Sequence, residues 1–308
     1  MKALVAQELS GPSDLVYTDV DDVAEGGDVV VIDVRAAGVC FPDLLLTRGE
    51  YQLKMEPPFI PGMEVAGVVR SAPTESGFEP GQRVAAPVAN VVHSPDQLDD
   101  GEAVSLLVNY YTMYFALARR AGMRPGETVL VLGSAGGVGT AAIQLAKAMN
   151  ARVIALVHRE GATEFVSSLG ADVVLPLADG WVQAVRDHTD GNGVDLVVDP
   201  IGGETFDDAI RALATEGRIL VLGFAAGAIP TVKVNRLLLR NVGVLGVGWG
   251  EFMSRNPNAQ SLFGWGLGQL VFLGLKPPPP VRYPLSEGRE ALERMAVGGV
   301  YGKLVLEP

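Results

Sequence analysis

The sequence TVLVLGSAGGVG at residues 128–139 decides the fold class. Its apolar half predicts a strand, and its small residues predict a tight turn that opens the next helix. The first amides of such a helix carry the positive end of the helix dipole, which suits a pyrophosphate. The dinucleotide fingerprint spacing is kept in Ser134-x-Gly136-x-x-Gly139, with Ser134 at the position of the first glycine. Gly136 permits close approach of the backbone to phosphate, and Gly139 lets the helix pack on the strand, so the segment predicts nucleotide binding.

A glycine-rich turn alone is a weak signal, and the segments that follow it strengthen the prediction. Strands are predicted at residues 128–132, 152–157, 173–175, 196–198, 218–222 and 242–246. Helices are predicted between them at residues 137–150, 160–169, 181–188 and 204–214. Six strands that alternate with helices indicate a doubly wound parallel sheet, so the predicted fold class is α/β.

The two ends of the chain differ from this central part. Residues 1–92 contain short β segments, such as residues 64–69, separated by turns with Pro and Gly, and they predict a β-rich module. Residues 277–280 are four consecutive prolines, which fit neither a helix interior nor a central strand. We interpret them as a linker back to the first module, and a polyproline ligand for a partner domain is the alternative. A helix at residues 285–296 and a strand at residues 302–306 are predicted after them.

Composition restricts the function classes. The 308 residues include 24 Lys plus Arg and 36 Asp plus Glu, and the formal net charge of −12 disfavours nucleic-acid and anionic-membrane partners. The single cysteine, Cys40, excludes an intrachain disulfide and a Cys-rich structural zinc site.

No signal peptide is predicted, and no apolar run reaches the roughly 18–20 residues of a membrane span. We therefore expect a cytoplasmic protein.

The end of the second predicted strand bears on which nucleotide binds. NAD-preferring sites tend to place a carboxylate at this point, whereas the 2′-phosphate of NADPH needs a cation. His158 and Arg159 follow the strand directly, and Glu160 comes one residue later. This order favours NADPH over NADH, with Arg159 as the cation. In the alternative interpretation, Arg159 is a solvated residue at a helix start that pairs with Glu160 or Glu164.

Hydride-transferring proteins of this layout exist with and without a catalytic zinc ion, which needs three good protein ligands. The candidate positions here hold Cys40 and Met63, and methionine is a poor zinc ligand. The three histidines, at positions 93, 158 and 188, fall in unrelated segments, so a zinc-free site without metal ligands is predicted. Cys40 is also a candidate nucleophile, although no neighbour in the sequence would lower its pKa, and a buried thiol is the alternative.

Motifs along nearly the whole chain resemble those of one family. They are AAGVCFPD at 36–43, PGMEVAGVV at 61–69, AGGVG at 135–139, LGAD at 169–172 and GKLVL at 302–306, among others. In this order they are similar to the zinc-free quinone oxidoreductase branch of the medium-chain dehydrogenase/reductase superfamily. The resemblance implies a GroES-like β-rich catalytic domain at residues 1–112 and 258–308 and a six-stranded Rossmann domain at residues 113–257. It also implies NADPH-dependent reduction of a small-molecule quinone or enone, and a homodimer through the last Rossmann strand at residues 242–249.

Carried over by position, the resemblance assigns further site residues. The residues implied to line the cofactor are Thr112, Gly136, Gly137, Val138, Gly139, Arg159, Phe224, Val247, Gly248, Trp249 and Lys303. Tyr51 stands where related reductases have a tyrosine at the mouth of the active site. The chain departs from the family at Cys40, where Asn is common, and at Ala162, where a lysine is common. Residues 83–95 are shorter than in relatives, which predicts a shortened part of the β-rich domain.

The expected chemistry is hydride transfer from NADPH to a quinone or an α,β-unsaturated carbonyl. Tyr51 is the candidate proton donor, with water as the alternative donor and aromatic packing as the alternative role of Tyr51. Four aromatic residues are close in the sequence: Trp249, Phe252, Phe263 and Trp265. They either line the base of a pocket for a flat acceptor or pack in a core or dimer contact. Two other functions stay open, an enoyl-thioester reductase and a non-enzymatic NADPH-binding sensor or structural protein.

Overall fold

The structure is a computed structural model that describes residues 1–87, 90–256 and 258–308. These residues form two compact units. One comprises Met1–Val108 and Lys276–Pro308, and the other comprises Asn109–Leu275. The first unit therefore contains both ends of the chain. The predicted domain boundary after position 257 falls at a residue outside the described ones.

The elements are numbered in chain order. The strands of the described residues are β1 (Lys2–Ala6), β2 (Leu15–Asp19), β3 (Val31–Val39), β4 (Glu64–Ser71), β5 (Arg83–Pro87), β6 (Val92–His93), β7 (Thr128–Val131), β8 (Arg152–Val157), β9 (Val173–Pro176), β10 (Val194–Asp199), β11 (Leu213–Val221), β12 (Gly243–Gly246), β13 (Val281–Pro284) and β14 (Leu304–Glu307). The helices are α1 (Phe41–Thr47), α2 (Asp100–Ser105), α3 (Tyr111–Tyr114), α4 (Gly137–Ala148), α5 (Ala162–Ser168), α6 (Trp181–Asp187), α7 (Thr205–Ala212), α8 (Asn235–Leu238), α9 (Trp249–Arg255), α10 (Ala259–Phe272) and α11 (Gly288–Ala296). Leu106–Tyr110 and Phe115–Arg120 are π-helical. Of the helices in the described ranges, none combines the length and the apolar character needed to cross a membrane.

The second unit is built on a six-stranded sheet in the order β12-β11-β10-β7-β8-β9. All neighbouring strands are parallel. Leu130, Ile154 and Val197 in its central strands are fully buried, as expected for a parallel sheet that is covered on both faces. The chain order reverses between β7 and β10, which makes their carboxyl ends the topological switch point. The predicted six-stranded doubly wound sheet is confirmed.

One strand of this sheet begins earlier than predicted. The pattern predicts a helix over 204–214 and a strand from residue 218, whereas α7 ends at Ala212 and β11 begins at Leu213. Leu213 pairs with Val194 of β10 ahead of a register shift. The early start is therefore due to pairing with β10, and the hydrophobic pattern along the chain does not predict such tertiary pairing.

The first unit contains a second six-stranded sheet, in the order β13-β14-β3-β4-β5-β6. Its pairs are antiparallel except for β13 with β14. Leu304 near the end of the chain lies opposite Val39, so the strand predicted at the C-terminus completes a sheet begun by the N-terminal residues. The predicted β-rich module is confirmed. The prolines at 277–280 precede β13 without regular secondary structure.

The segment expected to be shortened, residues 83–95, lies only partly within the described residues, because positions 88 and 89 fall outside them. On either side of these two positions, β5 and β6 pair with each other, with Val84 opposite His93. The apolar core of the first unit includes Leu4, Leu44 and Leu304.

Candidate functional site

The glycine turn follows β7 at the switch point and leads into α4. Gly133 has a φ of +59°, a conformation that favours glycine. A Cβ at Gly139 would lie 2.6 Å from the Cα of Ser134, so only glycine lets α4 approach the turn this closely. A Cβ at Gly136 would meet no heavy atom closer than 3.5 Å, where the oxygen of Gly133 lies. Gly136 is therefore not crowded by protein, and its backbone is open to a ligand.

The start of α4 presents backbone N–H groups at this turn. Gly136 is the residue before the helix, in an extended conformation, and Gly137, Val138 and Gly139 form the first turn. The N–H groups of a first helical turn have no acceptor within the helix. Because α4 has 12 residues, its dipole places a positive partial charge there. The arrangement suits an anionic group such as a phosphate.

Ser134 joins the turn to the neighbouring strand β8. Its buried hydroxyl donates to the carbonyl oxygen of Leu156 at 2.6 Å. Val157 ends β8, and the exposed His158 and the half-buried Arg159 follow it directly. His158 and the predicted cation Arg159 therefore lie at the carboxyl end of the strand next to the glycine turn.

Asp199, the last residue of β10, is a candidate site residue that the sequence motifs do not single out. Its Oδ1 accepts hydrogen bonds from the N–H groups of Ile201 and Gly202, both at 2.9 Å. Its Oδ2 is buried without a hydrogen-bond partner among the described residues, and burial raises the pKa of this carboxyl group. Phe224, after β11, packs on the same loop, because a Cβ at Gly202 would lie 3.0 Å from its ring. Asp199 thus holds the loop that supports Phe224.

Val247, Gly248 and Trp249 follow β12. The N–H of Val247 donates to the carbonyl oxygen of Val221 at 3.0 Å, which keeps the segment beside the end of β11. The Trp249 ring packs against Tyr111, with centroids 6.1 Å apart, and Thr112 is the next residue of α3. Because the carboxyl ends of parallel strands meet at one edge of a sheet, the residues predicted after β7, β8, β11 and β12 share one edge of this unit.

Three of the four predicted aromatic residues pack together. The Trp249 ring lies 5.4 Å from Phe263 and 6.1 Å from Phe252, between centroids. Phe115 lies 4.7 Å from Phe252 and completes the contact. Trp265 is 72% exposed and does not join this cluster. The cluster therefore combines the buried Phe115 and Phe263 with the partly buried Trp249 and Phe252, and Trp265 belongs to a different surface.

Cys40 and Lys303 belong to a buried polar cluster in the first unit. Lys303 Nζ donates to Cys40 Sγ at 3.1 Å and also forms an ion pair with Glu64. The Cys40 thiol donates to Glu64 Oε1 at 3.1 Å. Glu64 Oε2 accepts from the N–H of Val108 at 2.6 Å, and Asp43 Oδ2 accepts from the N–H of Cys40 at 2.7 Å. The Lys303 ammonium, which the resemblance assigns to the cofactor, is thus engaged by partners within its own unit.

Burial sets the protonation of this cluster. It raises the pKa of the Cys40 thiol well above its ordinary value, and the nearby Glu64 carboxylate adds to the effect, so the sulfur is a neutral thiol. Burial also raises the pKa of Asp43 to about 7. For Lys303, burial acts to lower the pKa, but the charge of Glu64 and the hydrogen bonds to Glu64 and Cys40 outweigh it, so the pKa lies above the ordinary value and the amine stays charged. A neutral, buried thiol is a poor nucleophile, which favours the structural interpretation of Cys40.

Tyr51 lies beyond the other end of α1 from Cys40. Its N–H donates to the carbonyl oxygen of Leu45 at 3.3 Å, which ties the segment after the helix to the helix. The side chain is half-buried and packs against the core of the first unit. Tyr51 is thus held in place while part of its ring is exposed to solvent.

These residues do not fit a catalytic zinc ion. The Lys303 ammonium lies at hydrogen-bond distance from the Cys40 sulfur, so a positive charge already occupies that side of the thiol. Met63, at the second candidate position, packs against the apolar core of the first unit. Within residues 1–87, 90–256 and 258–308, no group of three or more His, Cys, Asp or Glu side chains could hold a metal ion. The donors beside the Cys40 thiol are the carboxylates of Glu64 and Asp43, and the Lys303 ammonium competes with a metal ion for the thiol and for Glu64.

Glu64 is the centre of the cluster, and the motifs do not single it out as a functional residue. Two signals point to it in retrospect. It is the acidic residue that opens β4 ahead of the apolar residues 65–69, and a Cβ at Gly38 of β3 would lie 2.7 Å from its Cγ. Gly38 therefore leaves the space that the Glu64 side chain fills. A glycine beside a lone buried charge indicates a site built for that charge.

Comparisons with known proteins agree with the fold and the turn. The family model of the alcohol dehydrogenase GroES-like domain matches residues 26–143, and that of the zinc-binding dehydrogenase matches residues 137–263. Quinone oxidoreductase-like protein 2 of Bos taurus is 35% identical over 271 residues, which cover 83% of this chain and 77% of that protein.

Two solved structures are similar over the whole chain. A probable oxidoreductase from Mycobacterium abscessus has a TM-score of 0.92 and 59% identity, and the match covers 100% of this chain and 99% of that one. The quinone oxidoreductase from Thermus thermophilus, whose structures include a complex with NADPH, has a TM-score of 0.83 and 32% identity over 100% of both chains. With this fold, this glycine turn and these relatives, the chain belongs to the quinone oxidoreductase branch of the medium-chain dehydrogenase/reductase superfamily of oxidoreductases.

Proposed function

We propose that the protein is an NADPH-dependent, zinc-independent reductase that transfers hydride to a quinone or an α,β-unsaturated carbonyl. The observation that carries the proposal is the uncrowded glycine turn at the switch point, with Arg159 at the end of the adjacent strand. The Thermus thermophilus relative, described as a quinone oxidoreductase with an NADPH complex, supports both the cofactor and the substrate class. The Lys303 ammonium lies at hydrogen-bond distance from the Cys40 thiol, where it competes with a metal ion for the sulfur. This contact supports a reaction without a metal ion.

Different residues of the chain would bind different parts of NADPH. The amides of Gly137, Val138 and Gly139 would hold the pyrophosphate, and Arg159 would neutralise the 2′-phosphate, with His158 beside it. The remaining residues that would hold the cofactor are Thr112, Ser134, Gly136, Phe224, Val247, Gly248 and Trp249. When bound, NADPH supplies the hydride, which is the chemistry that amino-acid side chains cannot provide. The protein's contribution is to orient the cofactor and to exclude water from it.

Reduction of a quinone or an enone also consumes a proton, and Tyr51 is the proposed donor. Its position after α1, fixed by the bond to Leu45 and half-exposed, lets a phenolic hydroxyl meet a ligand. Water is the competing donor. Tyr51→Phe removes the hydroxyl and keeps the ring, and we expect a fall in kcat of about tenfold or more if the hydroxyl gives the proton. Tyr17→Phe, at an exposed tyrosine of the same unit, is the matched control, and equal kcat values in both variants would assign the proton to water.

The substrate class is tested by following NADPH oxidation against matched sets of quinones, enones and enoyl-CoA thioesters, with and without prior chelator treatment. We expect turnover of quinones or enones, no loss after chelation, and little turnover of enoyl-CoA. Preferential turnover of enoyl-CoA would replace the proposal by an enoyl-thioester reductase. Tight NADPH binding without turnover of any acceptor would indicate a sensor or structural protein.

We also propose a homodimer through β12. This strand is at the edge of the six-stranded sheet, where the free side of a strand is a template for pairing with a second copy. Val244→Pro removes one N–H from β12 and hinders pairing, and we expect it to lower the molar mass measured by light scattering. An unchanged mass would contradict this assembly.

A further inference from the structure

The outward face of α10 carries large apolar side chains beside the polar Ser261 and Gln269. Four large side chains on it are 71–77% exposed: Leu262, Trp265, Phe272 and Leu273. No charged residue occurs in the sequence from 256 to 275. A contiguous exposed apolar patch on a soluble protein marks an interaction site. The outward face of α10 is therefore an uncovered apolar surface in the isolated chain.

This face has the spacing of a helix-pairing seam. Ser261, Trp265, Gly268 and Phe272 follow one another at intervals of four, three and four residues, which places them on one line along the helix. All four are exposed. A Cβ at Gly268 would meet no heavy atom within 4 Å, so a notch lies open between Trp265 and Phe272. The seam thus alternates small and large residues.

We propose that α10 pairs antiparallel with α10 of a second copy of this chain, about a two-fold axis that passes between Gly266 and Leu267. This single placement sets Trp265 of each copy over the Gly268 notch of the other. The same placement sets Phe272 of each copy over Ser261 of the other. Both large residues therefore meet small ones at once, the self-complementarity that an isologous interface requires.

Charge favours a second copy over other occupants. The chain carries a formal net charge of −12, so most faces of two copies repel each other, whereas the α10 face brings no charges together. The same net charge disfavours an anionic membrane surface. The exposed side chains of the seam can bury roughly 500 Å² per copy, below the roughly 800 Å² of a standard interface. We therefore expect a concentration-dependent contact rather than a permanent one.

The contact is separate from the proposed pairing of β12 and does not depend on the enzymatic function. If both contacts form, each adds its own association step, and the assembly closes as a tetramer when the two two-fold axes cross at right angles and extends as an open chain when they do not. Sedimentation velocity of the full chain over a range of concentrations resolves the steps. Trp265→Glu should weaken one step at least tenfold, because it places a charge in the seam. Leu239→Glu, at a site that is 78% exposed outside α10, is the matched control and should leave every step unchanged.

Two further variants separate pairing from loss of folding. Gly268→Leu fills the notch but raises helix propensity, so it should abolish the same step while the thermal midpoint stays equal or rises. The double variant Trp265→Ala with Gly268→Trp exchanges the large and the small residue of each facing pair. It should therefore restore the association step that Gly268→Leu abolishes. A wild-type chain that stays monomeric at all concentrations, or a step that Trp265→Glu does not weaken, would overturn the proposal. Binding of a monomer to phosphatidylcholine vesicles that is lost in Trp265→Glu would overturn it in favour of a lipid surface.

Discussion

Lys303 and Cys40 are 263 residues apart in the sequence, yet Lys303 Nζ lies 3.1 Å from Cys40 Sγ in the core of the first unit. The ammonium also pairs with Glu64, whose side chain is completely buried. A buried cation therefore lies beside the thiol that was the first candidate zinc ligand. The charge of Lys303 is a structural requirement of this unit, because without it Glu64 would be a buried charge with no countercharge.

Lys303→Met is expected to destabilise the protein by about 3–5 kcal/mol, because it keeps the aliphatic stem and leaves the Glu64 carboxylate buried without its partner. Urea unfolding followed by circular dichroism measures the change. The double variant Lys303→Met with Glu64→Gln removes both charges and should regain most of the loss. A loss below about 1 kcal/mol in the single variant would mean that this pair behaves like an exposed salt bridge.

Asp43 gives the stability a defined pH dependence. Its pKa is about 7 in the folded protein, against an ordinary value of 3.8, because of burial. Between these values the folded state binds one proton more than the unfolded state, so stability falls as pH rises, by up to about 1.4 kcal/mol per pH unit. The contribution is fully present below the unfolded pKa and is lost as pH passes the folded pKa.

Asp43→Asn cannot titrate and keeps an oxygen to accept from the N–H of Cys40. Urea unfolding at several pH values between roughly 4 and 7 should therefore show a shallower slope for this variant than for the wild type. Parallel slopes would show that Asp43 is ionised in the folded protein throughout this range.

Two glycines of the turn are predicted to differ in their roles. A Cβ at Gly139 would lie 2.6 Å from backbone of the turn, so Gly139→Ala should destabilise the protein by about 1–3 kcal/mol. A Cβ at Gly136 has room, with its nearest neighbour at 3.5 Å. Gly136→Ala should therefore have the same midpoint of urea unfolding as the wild type. Gly136→Ala should instead weaken NADPH binding, measured by quenching of tryptophan fluorescence. Equal stability of the two variants would contradict this division.

The doubly wound sheet and its nucleotide edge follow from local signals. Each predicted strand contains a short apolar run, a glycine or a polar residue follows most of the strands, and the turn at Ser134 to Gly139 has its own spacing. Parallel topology then brings the strand ends to one edge without further information. For this reason His158 and Arg159 could be placed on that edge from the sequence, whereas Phe224 was assigned by resemblance.

The polar cluster of the first unit could not be placed in the same way. Its members lie in segments around 40, 64 and 303, and the pairing of β3 with β4 and with β14 brings them together. The partners of an antiparallel strand are set by tertiary packing, and residue spacing along the chain carries no record of it. Lys303 could thus be assigned by resemblance, while its ion pair with Glu64 could not be predicted.

Arg159 is predicted to determine the choice between NADPH and NADH. Arg159→Ala should raise the Kd for NADPH by about tenfold to a hundredfold, because a charge-assisted hydrogen bond contributes about 1.5–3 kcal/mol. The Kd for NADH, which lacks the 2′-phosphate, should change little. Arg152→Ala, at the opposite end of β8, is the matched control and should bind both cofactors as the wild type does. If Arg159→Ala weakened both cofactors equally, Arg159 would have no role in recognising the 2′-phosphate.

Gln260 offers a test of the core of the second unit. Its side chain is 4% exposed, and neither its amide oxygen nor its amide nitrogen has a hydrogen-bond partner in the described parts of the chain. A buried amide without partners loses its hydration and gains nothing in return. Gln260→Leu has a similar volume and no polar atoms, so it should stabilise the protein by about 1 kcal/mol in urea unfolding, whereas Gln260→Glu should destabilise it by more than that. A Leu variant less stable than the wild type would indicate that the amide is bonded to an internal water molecule that the substitution displaces.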